Sequence, residues 1–422
     1  MGSLKTIVLS SMIGNIMEWY DVFIFSTGAL YIAKAFLPSK VTPTIALLDV
    51  FLILALGFIT RPLGAFVFGN FGDKLGRKRM LIVTLSLTGI SSGLVGLLPT
   101  YIDIGFISLI LLSILRISLG IGLGGEWGGG LLLIVENTYH RNPFYVSFFQ
   151  SSVSIGLIVG SLVFLTLETL LPSSEMYSFG WRIAFLISFL LLVIGLIIRL
   201  KIGETEMFKK ALENGEILRK PGLSLFKNHF EKVVLGILIV GGLAIYFIGS
   251  VSIPNLYEFN KIVSPTQYFY GIMLFGIIDI LFVFIGGILS SNWKKIIIFT
   301  VIGNLLGIFV LYPAFLLKTP TNYLLFQTLL GISHGIMYSP VAVILVKLFP
   351  TNVRYSGISA SYQFAGAFLG GIEPYVITWL STFNYLFYPI YQILLCVISI
   401  VISIIVYKYN LAKYLETEVE KR

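Results

Sequence analysis

Residues Gly14 to Phe25 read GNIMEWYDVFIF and set two carboxylates, Glu18 and Asp21, inside an apolar and aromatic run. From Ile7 to Phe36 the only other charged residue is Lys34. About 20 mostly apolar residues cross a bilayer, so the run reads as a retained first membrane span. A cleavable leader is not expected, because the run is too long, carries two acids and lacks a small-x-small site. An acid facing lipid would cost roughly 2.5–3.5 kcal/mol, so both should face protein. At helical spacing Ser11, Asn15, Glu18 and Phe25 share a stripe, with Asp21 about 60° to one side. That predicts one polar face on a cavity and one face on lipid.

The rest of the chain has the same character. Of 422 residues, 57% are hydrophobic and 12% charged, against about 25% charged in soluble proteins. Too few polar residues remain to cover a water-facing surface. One cysteine, Cys396, and three scattered histidines, His140, His229 and His334, offer neither a disulfide nor a metal cluster, so no metal is expected. No GxxxxGK[ST] loop occurs, which argues against a nucleotide-driven pump. No nucleophile–base pair stands out, so no enzyme activity is expected.

Apolar segments near 8–34, 47–69, 80–98, 105–135, 144–170, 181–201, 232–253, 267–289, 296–316, 323–347, 357–381 and 386–407 predict twelve transmembrane helices. They divide into an N-terminal six-helix bundle (1–201), a polar linker (202–230) and a C-terminal six-helix bundle (231–422). Of 29 Lys and Arg, 22 fall on the side of the termini and five on the other. By the positive-inside rule both termini should be cytoplasmic, in the cell membrane. Topology therefore accounts for the net charge of +9, and no nucleic-acid partner is expected. Two matches suggest a duplicated unit: Arg141…Gln150 with Arg354…Gln363, and Gly69…Asp73 with Gly287…Ser291.

Few ionisable residues lie deep in the spans: Glu18, Asp21, Arg61, Arg116 and Glu126 in the first half, Asp279, His334 and Glu373 in the second. Three acids against two bases leave one carboxylate over in the first half, and a proton could neutralise it. Seven glycines lie between Gly120 and Gly130 (GIGLGGEWGGG), where small residues let helix backbones approach closely.

The loop after the second span, GNFGDKLGRKRM, resembles the cytoplasmic loop motif of the major facilitator superfamily. More narrowly, GNIMEWYD, RPLGAFVFGNFGDKLGRK, RISLGIGLGGEWGGG, SFGWRIAFLIS and PTNVRYSGISASYQFAGAFLGGIEP together resemble the metabolite:H⁺ symporters. That family includes proline/betaine, α-ketoglutarate, citrate and shikimate permeases. The resemblance covers essentially the whole chain. It implies an all-α integral membrane protein in which two pseudo-symmetric six-helix bundles rock around a central site. It also implies a cytoplasmic gate from Gly69, Asp73, Gly76 and Arg77, with Glu136 as partner for Arg77. Leu119 stands where the family has Gln, Ser291 where the second gate copy would have Asp, and Gln363 where Asn is usual.

The expected activity is proton-coupled uptake of a small organic acid by alternating access, with the proton as coupling ion, no other cofactor, and a monomer in the bilayer. Arg61 and Arg116 should make one wall of the cavity cationic, suited to a carboxylate. Tyr20, Tyr246, Gln327, Tyr338 and Gln363 are further candidates for substrate contact. Glu18, Asp21, Glu126 and Glu373 are the candidates for carrying the proton, Glu373 either there or as a gate. A zwitterion such as a betaine, held by Arg and aromatic faces, is the alternative substrate, and a channel or sensor the alternative class.

Overall fold

In the computed structural model the protein is described over residues 4–38, 41–75, 77–137, 142–201, 221–350, 353–381, 383 and 387–412. At 69–70, 72–75, 77, 136–137, 142, 221–223, 381 and 388 the backbone alone is described. The described residues are almost all helical and contain no strand. The twelve spans are α1 Leu4–Thr27, α2 Pro43–Phe68, α3 Arg77–Val95, α4 Phe106–Val135, α5 Pro143–Leu170 and α6 Ser173–Leu200, then α7 Phe230–Phe259, α8 Pro265–Leu289, α9 Trp293–Leu316 and α10 Pro320–Leu348. α11 runs from Arg354–Ala365 through Gly366–Gly370 to Glu373–Ser381, and α12 is Pro389–Lys408. Ten of these are long and apolar enough by composition alone to cross a membrane. The exceptions are α3, with Lys78 and Arg79 in its first turn, and α11, rich in Gly, Ser and Tyr.

Local sequence starts these helices. Thr42-Pro43, Ser264-Pro265 and Thr319-Pro320 each put a hydroxyl at the N-cap and proline in the first turn. The hydroxyl accepts an otherwise unpaired N–H, and the missing proline N–H goes unnoticed there. Ser264 and Gln267 bond reciprocally at 3.2 and 3.0 Å. The first span ends sooner than the expected residue 34: the chain turns at Gly28, and a separate helix runs Ala29–Phe36.

With twelve spans both termini fall on one face, here called the terminal face, opposite a distal face. Apolar side chains such as Phe309, Leu190 and Ile277 stand exposed around the outside, as a lipid-facing belt requires. Burial separates the spans by role. In α1, α7 and α10, 72%, 78% and 83% of the most apolar window is buried, against 33–44% in the other seven candidates. These three are therefore the central helices. This corrects the expected lipid face of α1: from Met17 to Thr27 every residue is buried. Helical periodicity marks a boundary between two environments, and α1 has protein on all sides.

The glycines of α2 and α4 bring backbone against backbone. A Cβ on Gly120 would lie 2.0 Å from the Gly57 carbonyl oxygen, and one on Gly64 would lie 2.0 Å from that of Ile121. Gly124 and Gly125 then interrupt α4, so that Glu126 opens a new helical stretch, Glu126–Asn137.

The two halves meet in a pseudo-symmetric way that the sequence repeat anticipates. Gln150 Nε2 on α5 donates to the Tyr338 carbonyl on α10 at 3.2 Å, and Gln363 Nε2 on α11 donates to the Leu123 carbonyl on α4 at 3.3 Å. The repeat-related glutamines thus each bond the backbone of the opposite half.

Candidate functional site

Between the halves lies a small cavity of about 40 Å³, room for little more than a water. Trp19, Phe58, Arg61, Tyr246, Phe247, His334, Tyr338 and Tyr362 are among its walls. Aromatic contacts between the halves close it at both ends. Toward the terminal face Trp127 of α4 stacks on Tyr362 of α11 at 3.6 Å and 3°, and Tyr355 donates to the Gly125 carbonyl at 2.8 Å. Toward the distal face Phe58 of α2 meets Phe247 of α7 edge-on at 5.3 Å.

The first-half charges form three separate pairs. Arg61 Nη1 donates to Glu18 Oε1 at 2.5 Å, with its guanidinium 3.9 Å from the Phe58 ring centre. Arg61 Nε and Glu18 Oε2 are buried without a partner. Arg116 grips Asp21 with two bonds, 2.7 and 3.1 Å, over the Phe25 ring. Glu126 does not join them. It pairs with Arg199 of α6, and accepts a further bond from Thr84 Oγ1 at 3.0 Å. The sequence count missed this base because Arg199 lies near the end of its span among residues that obey the positive-inside rule. With Arg199 buried and counted, three acids face three bases, and the expected surplus carboxylate of the first half disappears.

Other candidates are placed unevenly. Of the substrate set, Arg61, Tyr246 and Tyr338 line the cavity. Arg116 does not, so the expected double-arginine wall is a single guanidinium already paired to an acid. Tyr20 points into α6, donating to the Ala184 carbonyl at 2.6 Å. Gln327 is buried two turns from His334 along α10, away from the cavity wall. Gln363 is spent on the inter-half bond, while its neighbour Tyr362 reaches the cavity. Glu373 does not reach water: it is fully buried, and Ser252 donates to it at 2.9 and 3.1 Å. Gly76 lies outside the described residues, and of Gly69, Asp73, Arg77 and Glu136 the backbone alone is described.

Three features escaped the sequence reading. Trp127 packs across the halves although it sits in a glycine run that reads as packing alone. Glu168 and Glu258 line a second, distal cavity of about 320 Å³, with Tyr31 donating to Glu168 at 2.5 Å; near span ends, such acids look like interface residues. Asp279 and His334, on different helices, are hydrogen-bonded at 2.7 Å. Sequence separation hides such a pair, and only their shared depth in the membrane hinted at it.

Two six-helix repeats meeting around a cavity between them are the build of a membrane solute carrier. A sequence profile of the Major Facilitator Superfamily matches residues 11–372, and the chain belongs to that superfamily. Among curated relatives it is 34% identical to the inner membrane metabolite transport protein YhjE of Escherichia coli, over 91% of this chain and 89% of YhjE. It is 29% identical to the citrate-proton symporter of Klebsiella pneumoniae (86% and 83% covered) and 27% to the proline/betaine transporter of Escherichia coli (96% and 83%). Among solved structures it resembles the proton:xylose symporter XylE bound to 6-bromo-6-deoxy-D-glucose, with a TM-score of 0.78, 17% identity, and 98% of each chain covered. The chain is a transporter, not an enzyme.

Proposed function

We propose that the protein takes up a small organic acid together with a proton, by alternating access across the cell membrane with both termini in the cytoplasm. One observation carries this reading: Arg61 is the one guanidinium lining the cavity between the halves among the described residues, and its partner is a single carboxylate, Glu18. A proton on Glu18 frees Arg61, and a substrate carboxylate takes the vacated donors. Proton and anion thereby enter the buried site together and leave it neutral, which a low-dielectric site favours. Asp21, gripped by two bonds away from the cavity, and Glu126, held by Arg199, are less suited to this exchange than Glu18. Glu373, bonded by Ser252 alone, remains a further candidate proton carrier.

The relative named a citrate-proton symporter supports the same chemistry. The aromatic walls, Trp19, Tyr246, Tyr338 and Tyr362, favour a second reading in which the substrate is a zwitterion with its cation on the ring faces. In either case residues 1–201 and 231–422 act as the rocking units, joined by 202–230. Gly69, Asp73, Gly76, Arg77 and Glu136 form the cytoplasmic gate, and the carrier works as a monomer.

The test is uptake into proteoliposomes under an imposed pH gradient, screening monocarboxylates, dicarboxylates and betaines. Acidic outside medium should accelerate uptake of the true substrate. Glu18→Gln, which mimics the protonated acid, should keep substrate exchange but abolish acceleration by the gradient. Gradient-independent uptake by the wild type, or normal coupling in Glu18→Gln, would refute the assignment.

A further inference from the structure

Asp279 on α8 and His334 on α10 take no part in the exchange at Glu18 and Arg61, yet both are buried at the same depth. His334 Nδ1 lies 2.7 Å from Asp279 Oδ1. The other carboxylate oxygen, Oδ2, accepts from Ser154 Oγ at 2.6 Å. Ser154 belongs to α5, in the opposite half, and its oxygen is 2.9 Å from the Tyr246 hydroxyl of α7. His334 itself lines the cavity, its ring 4.6 Å from Tyr246 and 4.5 Å from Tyr338. A titratable pair thus sits between the cavity and a hydrogen bond that joins the two halves.

We propose that Asp279 and His334 form a second proton-binding site, distinct from Glu18, whose occupancy decides whether the halves stay closed over the cavity. With Nδ1 committed to Asp279, the incoming proton adds to Nε2 and converts imidazole to imidazolium. The loaded pair carries no net charge and tolerates full burial with Ser154 bonded to Asp279. The unloaded pair carries one negative charge. A lone buried charge is costly, and water entering between the halves relieves it. Unloading therefore separates α5 from α8, and loading lets them close. The ionisable groups facing the pair are the phenols of Tyr246, Tyr338 and Tyr362 and, across the cavity, Arg61 with Glu18, which together are neutral. α5 presents Ser154, which does not titrate.

The experiment needs no substrate. His140→Gln/His229→Gln leaves His334 as the single histidine, so ¹⁵N imidazole resonances of the protein in nanodiscs report its titration alone. Spin labels in a Cys396→Ser background, at exposed Ile102 and Leu317 on the distal face and at exposed Lys201 and Lys294 on the terminal face, report the distance between halves. One of the two distances should lengthen as the imidazole loses its proton, with the same midpoint. Asp279→Asn removes the negative charge of the unloaded pair, so it should change the imidazole titration and hold both distances short at the pH where the wild type opens. His334→Gln should leave one of them long across the same range. An imidazole titration indifferent to Asp279→Asn, or a pH response that survives in both pair variants, overturns the proposal. A response lost in Glu18→Gln but kept in Asp279→Asn also overturns it, while leaving coupling through Glu18 intact.

Discussion

Replacing Arg199 with Met tests whether the third pair is structural. Arg199 bonds both oxygens of Glu126 and the Leu81 carbonyl, and is 3% exposed. Methionine fills much of the space but strands Glu126, whose one remaining bond is from neutral Thr84. Breaking a buried pair by removing one partner costs about 3–5 kcal/mol, most of it the penalty of the orphaned charge. Thr84 offsets about 1 kcal/mol of that. Arg199→Met should therefore lose about 2–4 kcal/mol in reversible unfolding in mixed detergent micelles. Adding Glu126→Gln removes the stranded charge and keeps an acceptor for Thr84, so the double variant should recover about 2 kcal/mol over Arg199→Met alone. Additive losses would refute the reasoning, as would a single variant within about 1 kcal/mol of wild type. Glu126 would then have to be balanced from elsewhere.

Two further outcomes are expected. Gly120→Ala should destabilise by about 1–3 kcal/mol in the same assay, since its methyl meets the Gly57 carbonyl, whereas Gly366→Ala, with nothing within 4 Å of its Cβ, should be neutral. Gln363→Leu removes one inter-half bond of about 1 kcal/mol, which should raise the open population roughly fivefold. Labelling of an engineered cysteine beside Trp127 by a membrane-impermeant thiol reagent would read this out, and an unchanged labelling rate would count against Gln363 as an inter-half tie.

Whatever depends on composition along one helix is legible in the amino-acid sequence. Twelve apolar stretches follow from the length of chain needed to cross hydrocarbon. The Gly run of α4 reads directly as close backbone packing, and the Arg–Gln repeat points to the glutamines that bridge the halves. Glu18 and Asp21 have to face protein, because lipid offers a carboxylate nothing.

Tertiary structure alone decided partners and exposure. How far each helix is rotated is set by its neighbours, so Tyr362 reached the cavity while Gln363, one residue on, turned to Leu123. Arg199 reads as a surface base along the chain, and only packing buries it against Glu126. Asp279 and His334 became one site because α8 and α10 happen to cross at that depth. GNIMEWYDVFIF held the acids, but only the fold separated Glu18, on the guanidinium at the cavity, from Asp21, on the one behind it. Burial made both pairs obligatory, and position relative to the cavity set them apart.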